Sequence, residues 1–579
     1  MTRPLLAALC TLLLVLAPRH GAAAWPPKTD APHREVRAVW LTTLSGLDWP
    51  SRPATTEAEA AAQRRELCEQ LDRLRAMGIN TLLFQTRIRA TVAYPSAIEP
   101  WDGAFSGRLG VAPPYDPLAF AVAEAHRRGM ELHAWVVAYP AGKVAANRQL
   151  GASALPRRHP ELCRRCGDQW MMDPGAPGTA GYIASLCAEI VRRYDVDGIH
   201  LDYIRYPEKE IPFDDRSTWQ RYGHGLPRAE WRRQNVTRTV RAVCDSVRAL
   251  KPWVRLSCSP VGKYADLSRY SSYGWNARDA VAQDAQLWLR EGWMDLLFPM
   301  MYFRGNHFYP FALDWQEERA GRLVVPGLGT YQLAAGQRDW PLSVVRDEMT
   351  FLRGIGTAGQ AHFRARFLLD NVKGIADFLT NDFYRQPALT PPLTWQDSIA
   401  PSAPRLRLHA EGNGVRLDWS PASDPTPGSG LRYNVYRLAP GDSLLAGASL
   451  LTQGLTDTTF ACTPALPALR HARYAVTAID RFGNESAPAT ARLHAGAAPY
   501  ASVVAVEAGR LSLPDADAEY LLLTDAVGRP LCTLRYDTLV ALPRLAPGFY
   551  ELRTLDRKGV SHKIARFRTG FQPAGNSCL

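Results

Sequence analysis

The chain has 579 residues, of which 46% are hydrophobic and 21% are charged, with a formal net charge of +12. This length is too great for one hydrophobic core, so two to four domains are expected, and the composition is that of a soluble globular protein. The basic residues are spread along the whole chain and form no block, which argues against a nucleic-acid partner.

The N-terminus has the pattern of an export signal. An apolar run at residues 5–17 is followed by three alanines at 22–24. This pattern predicts cleavage after Ala24 and a mature protein that works outside the cytoplasm, in the periplasm, the cell envelope or the extracellular space. Cys10 lies inside the apolar run and follows a bulky residue where lipidation needs a small one, so we expect no lipid anchor. No later stretch is long and apolar enough to span a membrane.

The remaining cysteines are scattered and odd in number, which argues against a disulfide framework. Only Cys163 and Cys166 form a motif, Cys-Arg-Arg-Cys. Without a second Cys or His pair it makes half a zinc site at most, and a redox role needs a thioredoxin-like context. We expect a local disulfide or two unpaired thiols in a loop. Since no His-x-His or His-Glu-x-x-His pattern occurs, we expect neither a metal nor a cofactor.

Residues 34–386 are predicted to alternate between strand and helix. The predicted strands are 37–43, 79–87, 131–137, 198–201, 254–260, 294–302, 323–327 and 360–364. The predicted helices are 56–77, 117–129, 183–194, 235–250, 279–291 and 343–353. Eight strand units with polar residues at their exits are typical of a (β/α)8 barrel of the α/β class.

A change in composition marks the end of this region. Residues 387–392 (Pro-Ala-Leu-Thr-Pro-Pro) are predicted to be a linker. Short alternating strands then predict a β-sandwich at 400–496, whose Trp and Tyr placement resembles a fibronectin type III module. A last β-rich segment at 500–570 predicts a second sandwich, either an accessory module or a sorting domain. We expect the barrel to fold and act without the sandwiches, although a docked interface could couple them.

The stretch at 195–207 is the most informative for function. Its apolar strand ends in Asp202, Tyr203, Arg205 and Tyr206. In a barrel of βα units the residues at the carboxyl ends of strands face the mouth, where active sites lie. A structural ion pair between Asp202 and Arg205 is the alternative, but a carboxylate, a guanidinium and two tyrosines exceed what the end of a strand requires.

Five motifs resemble the glycosyl-hydrolase-like family ten. They are 37–41 (Arg-Ala-Val-Trp-Leu), 84–87 (Phe-Gln-Thr-Arg), 94–101 (Tyr-Pro-Ser-Ala-Ile-Glu-Pro-Trp), 172–175 (Met-Asp-Pro-Gly) and 197–207 (Asp-Gly-Ile-His-Leu-Asp-Tyr-Ile-Arg-Tyr-Pro). The best-understood type in that family is a divisome-localised glycoside hydrolase that cuts denuded peptidoglycan strands. The resemblance covers residues 34–385 and implies that Glu99 occupies a catalytic position. The chain departs from the family in lacking a lipobox and in carrying Cys163 and Cys166.

Cleavage of a glycosidic bond ordinarily needs one protonated carboxyl and one ionised carboxylate. Asp202 suits the ionised role, because Arg205 and nearby hydroxyl groups would hold its pKa low. Glu99 suits the acid, because its apolar neighbours would raise its pKa, with an exposed loop glutamate as the alternative. Asp173 is equally a turn cap or a substrate ligand. Asp295, at the start of its strand, is expected to be structural.

Other residues at or beyond the strand exits are candidates for contact with sugar, and core packing is the alternative for each. They are Trp40, Gln85, Arg87, Trp101, Tyr139, Asp173, Tyr203, Arg205 and Tyr302. Arg87, Arg89 and Arg205 could together bind the lactyl carboxylate of N-acetylmuramic acid. The expected function is therefore hydrolysis of a cell-wall glycan by a two-carboxylate mechanism, with denuded peptidoglycan strands as the expected substrate. A non-catalytic glycan-binding protein and a hydrolase of another extracellular polysaccharide are the alternatives.

Overall fold

The structure is a computed structural model. It describes residues 32–569 except 209, 269, 271–274, 412–413, 427–429, 439–449, 463–471, 494–505, 508–509, 514–519, 538, 544, 547 and 556–560. The predicted export signal at 1–24 lies outside the described residues. Among those described, no helix has the length and apolar character that crossing a membrane requires.

The described residues of the first part of the chain form thirteen strands. They are β1 (Val36–Leu41), β2 (Thr81–Arg87), β3 (Glu131–Val137), β4 (Pro140–Lys143), β5 (Cys163–Cys166), β6 (Gln169–Met172), β7 (Gly198–Asp202), β8 (Arg255–Cys258), β9 (Leu296–Leu297), β10 (Met300–Met301), β11 (Leu323–Val324), β12 (Gly327–Leu328) and β13 (Gly359–His362). Strands β4, β5 and β6 form a small antiparallel sheet, and the other ten form one parallel sheet.

The helices of this part lie between and after those strands. They are α1 (Glu57–Ala76), α2 (Gly103–Ser106), α3 (Pro117–Arg127), α4 (Val144–Leu150), α5 (Leu155–Arg158), α6 (Thr179–Arg193), α7 (Arg216–Tyr222), α8 (Arg228–Leu250), α9 (Ala277–Ala280), α10 (Ala285–Arg290), α11 (Tyr309–Glu317), α12 (Leu342–Gly354), α13 (Ala365–Leu369) and α14 (Ile375–Phe378).

The ten parallel strands occupy the eight positions of a closed barrel. Their order is β10-β12-β13-β1-β2-β3-β7-β8-β9-β11. Pro299 separates β9 from β10 and Pro326 separates β11 from β12, since proline has no amide hydrogen to donate to the ladder. The sheet closes because β9 pairs with β8 and β11, while β12 pairs with β10 and β13. The predicted α/β barrel is confirmed.

Two apolar layers hold the barrel together. One fills its interior and includes Trp40, Leu83, Trp135 and Phe298. The other lies between the strands and the surrounding helices, and it contains the residues that alternate with the first set along each strand, such as Val136. Because successive strand residues point to opposite faces, a shift of one residue moves a side chain from one layer to the other.

One predicted helix is broken in the structure. The periodicity at 279–291 predicts one helix, but α9 ends at Ala280 and α10 begins at Ala285. Ala282 between them has a φ of 62°, outside the helical region. The carbonyl of Val281 instead accepts a hydrogen bond from the Tyr206 N–H at 3.0 Å. The break therefore ties this segment to the exit of β7.

The described residues after the barrel form antiparallel sheets. Their strands are β14 (Leu406–Glu411), β15 (Gly414–Trp419), β16 (Arg432–Leu438), β17 (Leu450–Leu455), β18 (Thr459–Cys462), β19 (Arg473–Ile479), β20 (Ala489–Arg492), β21 (Val506–Glu507), β22 (Arg510–Ser512), β23 (Tyr520–Asp525), β24 (Pro530–Arg535), β25 (Leu539–Ala541), β26 (Gly548–Leu555) and β27 (Ser561–Thr569). Sheets β14-β15-β18 and β17-β16-β19-β20 share one core, and sheets β21-β22-β25 and β24-β23-β26-β27 share another. Two small sandwiches therefore follow the barrel.

The first sandwich docks on the amino-terminal side of the barrel strands. Asp195 and Asp197, which precede β7, face two arginines of the sandwich. Arg432 lies 3.3 Å from Asp195 and 3.4 Å from Asp197, and Arg481 lies 2.8 Å from Asp195. This side is opposite to the mouth, so the contact leaves the mouth open.

The predicted linker at 387–392 is not a free connection. Leu389 is buried, its N–H donates to the carbonyl of His33 at 2.9 Å, and its carbonyl accepts from the N–H of Glu35 at 2.8 Å. Beyond it, the side chains of Trp395 and Gln396 donate to Asp295 at 2.9 and 2.8 Å. The segment packs against the base of the barrel, where Asp295 has the structural contacts expected of it.

Candidate active site

Asp202 ends strand β7 and its carboxyl is buried at the barrel mouth. Its Oδ1 accepts a hydrogen bond from the N–H of Tyr203 at 2.8 Å, and its Oδ2 accepts from Nε1 of Trp135 at 3.1 Å. Burial raises the pKa of the Asp202 carboxyl, and this outweighs the lowering effect of Arg205 and of the hydrogen bonds. The prediction that Asp202 has a low pKa is therefore wrong, and the residue is suited to keep a proton.

An aromatic stack with a cation between its rings lies beside Asp202. The Arg205 guanidinium is 4.4 Å from the ring centre of Tyr203 and 5.3 Å from that of Trp275. Both rings are 40% exposed. Nη2 of Arg205 donates to Glu208 at 2.7 Å, whereas its Nε and Nη1 have no hydrogen-bond partner among the described residues. The stack combines ring faces suited to sugar with donors suited to an anion.

The backbone of Tyr203 is strained. Its φ is 48°, in the left-handed region that bulky residues rarely adopt. The hydrogen bond from its N–H to Asp202 helps to hold this conformation. Such strain costs about 1–3 kcal/mol and concentrates at functional sites. Here it keeps the exposed ring over Arg205.

Tyr302 forms another wall of the mouth. Its ring centre lies 5.3 Å from that of Phe363 and 5.6 Å from that of Tyr331. Burial and the nearby Asp202 carboxyl raise the pKa of the Tyr302 hydroxyl well above its ordinary value. Tyr302 therefore lies close enough to Asp202 to interact with its charge, while the sugar contact predicted for it stays a prediction.

The floor of the mouth is a buried polar cluster under the aromatic layer. Trp40 is 1% exposed, and its Nε1 donates to Nε2 of His200 at 3.2 Å. The hydroxyl of Ser257 lies 3.0 Å from Nδ1 of His200, and that of Ser259 lies 2.8 Å from Nε2. Trp40 is thus part of the floor of the mouth. Its indole is buried, which differs from the predicted contact with sugar and agrees with the core-packing alternative.

Arg87 and Glu99 form a buried ion pair outside the barrel interior. Nε and Nη2 of Arg87 donate to the two carboxylate oxygens of Glu99 at 2.8 and 2.6 Å, and both side chains are 1% exposed. Burial alone would lower the pKa of Arg87, but the Glu99 carboxylate raises it. Tyr182 of α6 also donates to Glu99, at 3.1 Å. These contacts differ from the apolar environment predicted for Glu99.

An irregularity in β2 explains this placement. Gln85 pairs with Trp135, but Arg87 pairs with Val136, so Thr86 is an extra residue in the ladder. Trp135 belongs to the interior layer and Val136 to the layer under the helices. A bulge of this kind re-aims the side chain that follows it. It turns Arg87 toward α6 and away from the interior.

The loop that carries Glu99 is anchored by α6. Glu189 accepts hydrogen bonds from the Tyr94 hydroxyl at 2.9 Å, the Ser96 hydroxyl at 2.6 Å and the Ala97 N–H at 2.7 Å. Three bonds to one carboxylate hold the loop against the helix. The loop at 94–101 is therefore fixed to α6 by these contacts.

Two further predicted site residues are buried away from the mouth. Tyr139 is fully buried in the layer between strands and helices, close to Thr239 of α8. Asp173 is fully buried and accepts hydrogen bonds from Arg164 at 3.1 Å and Thr218 at 2.6 Å. Burial raises its pKa despite these bonds. Asp173 thus links β5 and α7, and it also accepts from the Gly175 N–H at 2.9 Å, which agrees with the turn-capping alternative.

Gln85 and Trp101 also accept hydrogen bonds from backbone N–H groups of nearby loops. Oε1 of Gln85 accepts from the N–H groups of Thr43 and Leu44 at 3.0 and 2.8 Å, which fixes the chain after β1. Trp101 is half-buried, and its carbonyl accepts from the Gly110 N–H at 2.9 Å. The structure therefore gives both residues a role in shaping loops on the mouth side.

A cleft of about 920 Å³ opens beside Tyr182. The charged and aromatic members of its lining include Arg158, Arg164, Arg221, His159, Tyr182 and Tyr222. The segments that form it follow the carboxyl ends of β3 and β7, so it opens on the same side as the mouth. Three guanidinium groups face one lining carboxylate, that of Glu161, and the cleft is therefore positively charged.

A comparison with known protein families now bears on this site. The sequence profile of the family described as glycosyl hydrolase-like 10 matches residues 35–337. The chain belongs to this family. The match covers the barrel strands up to β12 and the groups placed at the mouth from Trp40 to Tyr331, but not Phe363.

Two relatives extend the comparison. Glycosyl hydrolase YngK of Bacillus subtilis (strain 168) is 31% identical over 481 residues, which cover 78% of this chain and 92% of that protein. Glycosyl hydrolase DigH of Escherichia coli (strain K12) is 33% identical over 301 residues, which cover 48% of this chain and 68% of that protein. This member of the glycosyl hydrolase-like 10 family is a glycoside hydrolase.

One solved structure illustrates the comparison by shape. The PgaB (BpsB) glycoside hydrolase domain from Bordetella bronchiseptica is 12% identical, and the match covers 60% of this chain and 99% of that domain with a TM-score of 0.42.

Of the predicted site residues, the structure brings Asp202, Tyr203, Arg205 and Tyr302 together at the mouth. Sequence reasoning missed three neighbours of this group. Glu208 directly follows the motif at 197–207, and Ser259 lies just beyond β8 at a strand exit, so position along the chain could have indicated both. Trp275 follows no strand, and no pattern in its surroundings pointed to it.

The described residues contain no group of three or more His, Cys, Asp or Glu side chains that could hold a metal ion. Cys163 and Cys166 are unpaired, buried thiols at the ends of β5, so the alternative of two free thiols fits better than a disulfide, although they lie in a strand. Burial raises the pKa of Cys163 to about 12 and that of Cys166 to about 11. Thiols of this kind are poor nucleophiles at neutral pH.

Proposed function

We propose that this glycoside hydrolase is exported and cuts the glycan strands of a cell wall, with denuded peptidoglycan as its substrate. One observation carries the proposal: Asp202, a buried carboxyl whose pKa is raised by burial, lies beside the exposed rings that flank Arg205. The N-terminal sequence pattern supports export.

The free donors of Arg205 support an anionic sugar. Nε and Nη1 of its guanidinium are buried and lack a partner among the described residues, so a substrate carboxylate that displaced the neighbouring rings would satisfy both. N-acetylmuramic acid carries such a group, the lactyl carboxylate. The cleft lined by Arg158, Arg164 and Arg221 adds positive charge on the same side of the barrel, which favours a chain with repeated carboxylates.

In the proposed reaction Asp202 is the proton donor. A carboxyl with a raised pKa can deliver its proton to the leaving oxygen as the glycosidic bond breaks. The opposite carboxylate is proposed to be Glu208, which the Arg205 guanidinium holds beside the mouth at 2.7 Å. Glu99, the residue that the family resemblance implies, is the alternative, and it would have to leave its bond to Arg87 to act.

The test uses purified full-length protein and three substrates: peptidoglycan treated with amidase, untreated peptidoglycan, and neutral glucans. Mass spectrometry of the products should show fragments with new reducing ends from the amidase-treated strands, and little from the other two. Release from neutral glucans alone would refute the cell-wall proposal and favour a hydrolase of another polysaccharide. Equal release from both peptidoglycan samples would refute the requirement for denuded strands.

A further inference from the structure

A second opening on the mouth side of the barrel is a groove of about 660 Å³. We call it the Arg89 groove, and its lining residues lie within 44–53, 88–91, 102–109 and 142–150. These segments follow β1, β2 and β3, which are neighbours in the sheet, so their exits lie side by side. The exit of β3 in turn contacts that of β7, since the Ala138 N–H donates to the carbonyl of Asp202 at 2.7 Å. The groove therefore adjoins the mouth.

The Arg89 groove is positively charged. Three cationic side chains line it, those of Arg52, Arg89 and Lys143, and all three residues are exposed. None of these side chains forms an ion pair with another described residue. Among the described residues of the lining, the one acidic side chain is that of Asp102, which is 8% exposed and accepts hydrogen bonds from the protein at both oxygens. The charge of the groove is therefore available to an anionic ligand.

Arg89 is held in place by a strained turn. In the turn at 88–91 the first N–H donates to the last carbonyl at 2.9 Å, and Ala90 has a φ of 59°, in the left-handed region. The turn also packs against Gly142, where an added methyl group would lie 3.3 Å from the carbonyl oxygen of Arg89 and 3.9 Å from its Cβ. Backbone strain of this kind concentrates at functional sites. The turn therefore fixes Arg89 next to the segment that carries Lys143.

Arg89 also connects the groove with the aromatic stack beside Asp202. Burial raises the pKa of the Tyr203 hydroxyl, and the charge of Arg89 partly opposes this effect. The two side chains therefore lie within electrostatic reach of each other. A polysaccharide that covers the exposed ring of Tyr203 can extend into the groove, where Leu44 and Ile88 offer apolar surface to the C–H faces of a sugar.

We propose that the Arg89 groove is a carboxylate-binding subsite for the glycan. In it, Arg89 and Lys143 bind the lactyl carboxylate of a sugar that is remote from the bond that is cut. The inference rests on the proposed function, which supplies a strand with repeated carboxylates. A guanidinium matches a carboxylate with two parallel N–H donors, and an ammonium group adds a point charge. Arg87 cannot share this role, because Glu99 occupies two of its donors.

The test measures binding of the full-length protein to amidase-treated peptidoglycan strands by calorimetry. The same strands with their carboxylates converted to carboxamides are the neutral comparison. Arg89→Gln removes a charged hydrogen-bond donor, so it should raise the Kd for carboxylate strands about 10-fold and that for carboxamide strands less than about twofold. Lys143→Gln should have a smaller effect of the same kind. Arg65→Gln, which changes an exposed arginine of α1 outside the groove, is the control and should change neither Kd.

An unchanged Kd in Arg89→Gln, an equal change on both kinds of strand, or an equal change in Arg65→Gln would overturn the inference. Should Arg89→Gln not fold, Lys143→Gln must still discriminate between the two kinds of strand. Analysis of reducing ends separates the two levels of the argument. If the wild type releases reducing ends but Arg89→Gln binds as the wild type does, the groove alone is refuted. Carboxylate-dependent binding that Arg89→Gln weakens, without release of reducing ends, refutes hydrolysis and supports the groove, and no binding of either kind of strand refutes both.

Discussion

At the scale of single residues, three carboxyl groups compete for two chemical roles. Asp202 is buried beside the aromatic stack, Glu208 is held at the rim by Arg205, and Glu99 is closed in by Arg87. We expect Asp202→Asn and Glu208→Gln each to lower kcat on the order of 100-fold or more while the glycan still binds. Steady-state kinetics and binding to amidase-treated strands measure both effects.

Glu99→Gln is the matched comparison, because the same change is made at a different ion pair. It leaves the Arg87 guanidinium buried without its counter-charge, which costs about 3–5 kcal/mol of folding stability. We therefore expect a clear fall in Tm. A catalytic acid would behave differently: Tm would be kept and kcat would fall 100-fold, and that result would return the acid role to Glu99.

The pH dependence follows from the raised pKa of Asp202. A proton donor works only while protonated, so activity should fall as the pH rises through that pKa, and Asp202 should determine the alkaline limb. The sequence alone suggests that Asp202 acts as an ionised carboxylate with a low pKa. In that case activity would fall as the pH decreases, which gives an acidic limb. A kcat/KM profile across the stable pH range distinguishes the two, and an alkaline limb that persists in the residual activity of Asp202→Asn would argue against this assignment.

The position of Asp202 can be predicted from the sequence, but its pKa cannot. The motif at 197–207 correctly places Asp202, Tyr203 and Arg205 at one strand exit, because the carboxyl ends of parallel strands share one side of the barrel. The pKa of Asp202 could not be read from its neighbours in sequence. It depends on how far burial by other strands exceeds the effect of one arginine, and burial is a property of the folded chain.

At the scale of elements, the apolar periodicity of the sequence predicts the strand positions well. Local irregularities of the backbone cannot be predicted from it. The eight strand positions follow from buried apolar runs separated by helical spacing. Arg87 was misplaced because the extra residue at Thr86 leaves no mark on the apolar pattern, yet it reverses the side to which Arg87 points. Tyr139 lies only two residues beyond β3, but it points into the layer between strands and helices, where sugar cannot reach it.

The contact between α6 and the loop at 94–101 gives a prediction at this scale. Glu189→Ala removes three hydrogen bonds that hold the loop, so its amides should exchange with solvent about 10-fold faster or more. Hydrogen exchange read by mass spectrometry measures this. Glu69→Ala, which removes an exposed glutamate of α1, is the control and should leave the loop unchanged. Equal exchange in both variants would show that the loop is held by other contacts.

At the scale of the whole molecule, the segment after residue 386 and the first sandwich help to stabilise the amino-terminal side of the barrel. Asp295 is fully buried and Asp197 is 8% exposed, and both are contacted from beyond residue 386. A chain that ends at 386 should therefore fold with a lower Tm than one that ends at 493, since it leaves these carboxylates less well paired. Calorimetry of the two proteins tests this. Equal Tm values would show that the barrel is independent, as the sequence alone suggests.

The interface should also weaken in acid. Glu485 of the sandwich is buried, which would raise its pKa, but the His33 ring 3.7 Å away, hydrogen bonds from Thr477 and Tyr436, and the charge of Arg34 lower it to about 2. A lowered pKa gives stability that is present above the unfolded value near 4.3 and is lost as the pH falls toward 2, about 3 kcal/mol in all. Thermal unfolding between pH 2 and 5 should show this loss, and Glu485→Gln should show a smaller one.

Strand β7 is five residues long and runs from the side of the barrel where the first sandwich docks to the mouth. Asp202 stands at its carboxyl end, and Asp197, one residue before its start, faces the arginines of the sandwich. Because the two carboxylates lie so close along the chain, the presence of the sandwich should constrain the sequence next to the active-site strand. In descendants that lose the sandwich, Asp195 would face no arginine and should drift freely in sequence. Asp197 also accepts from His126 and from the N–H of Leu132, so it should persist.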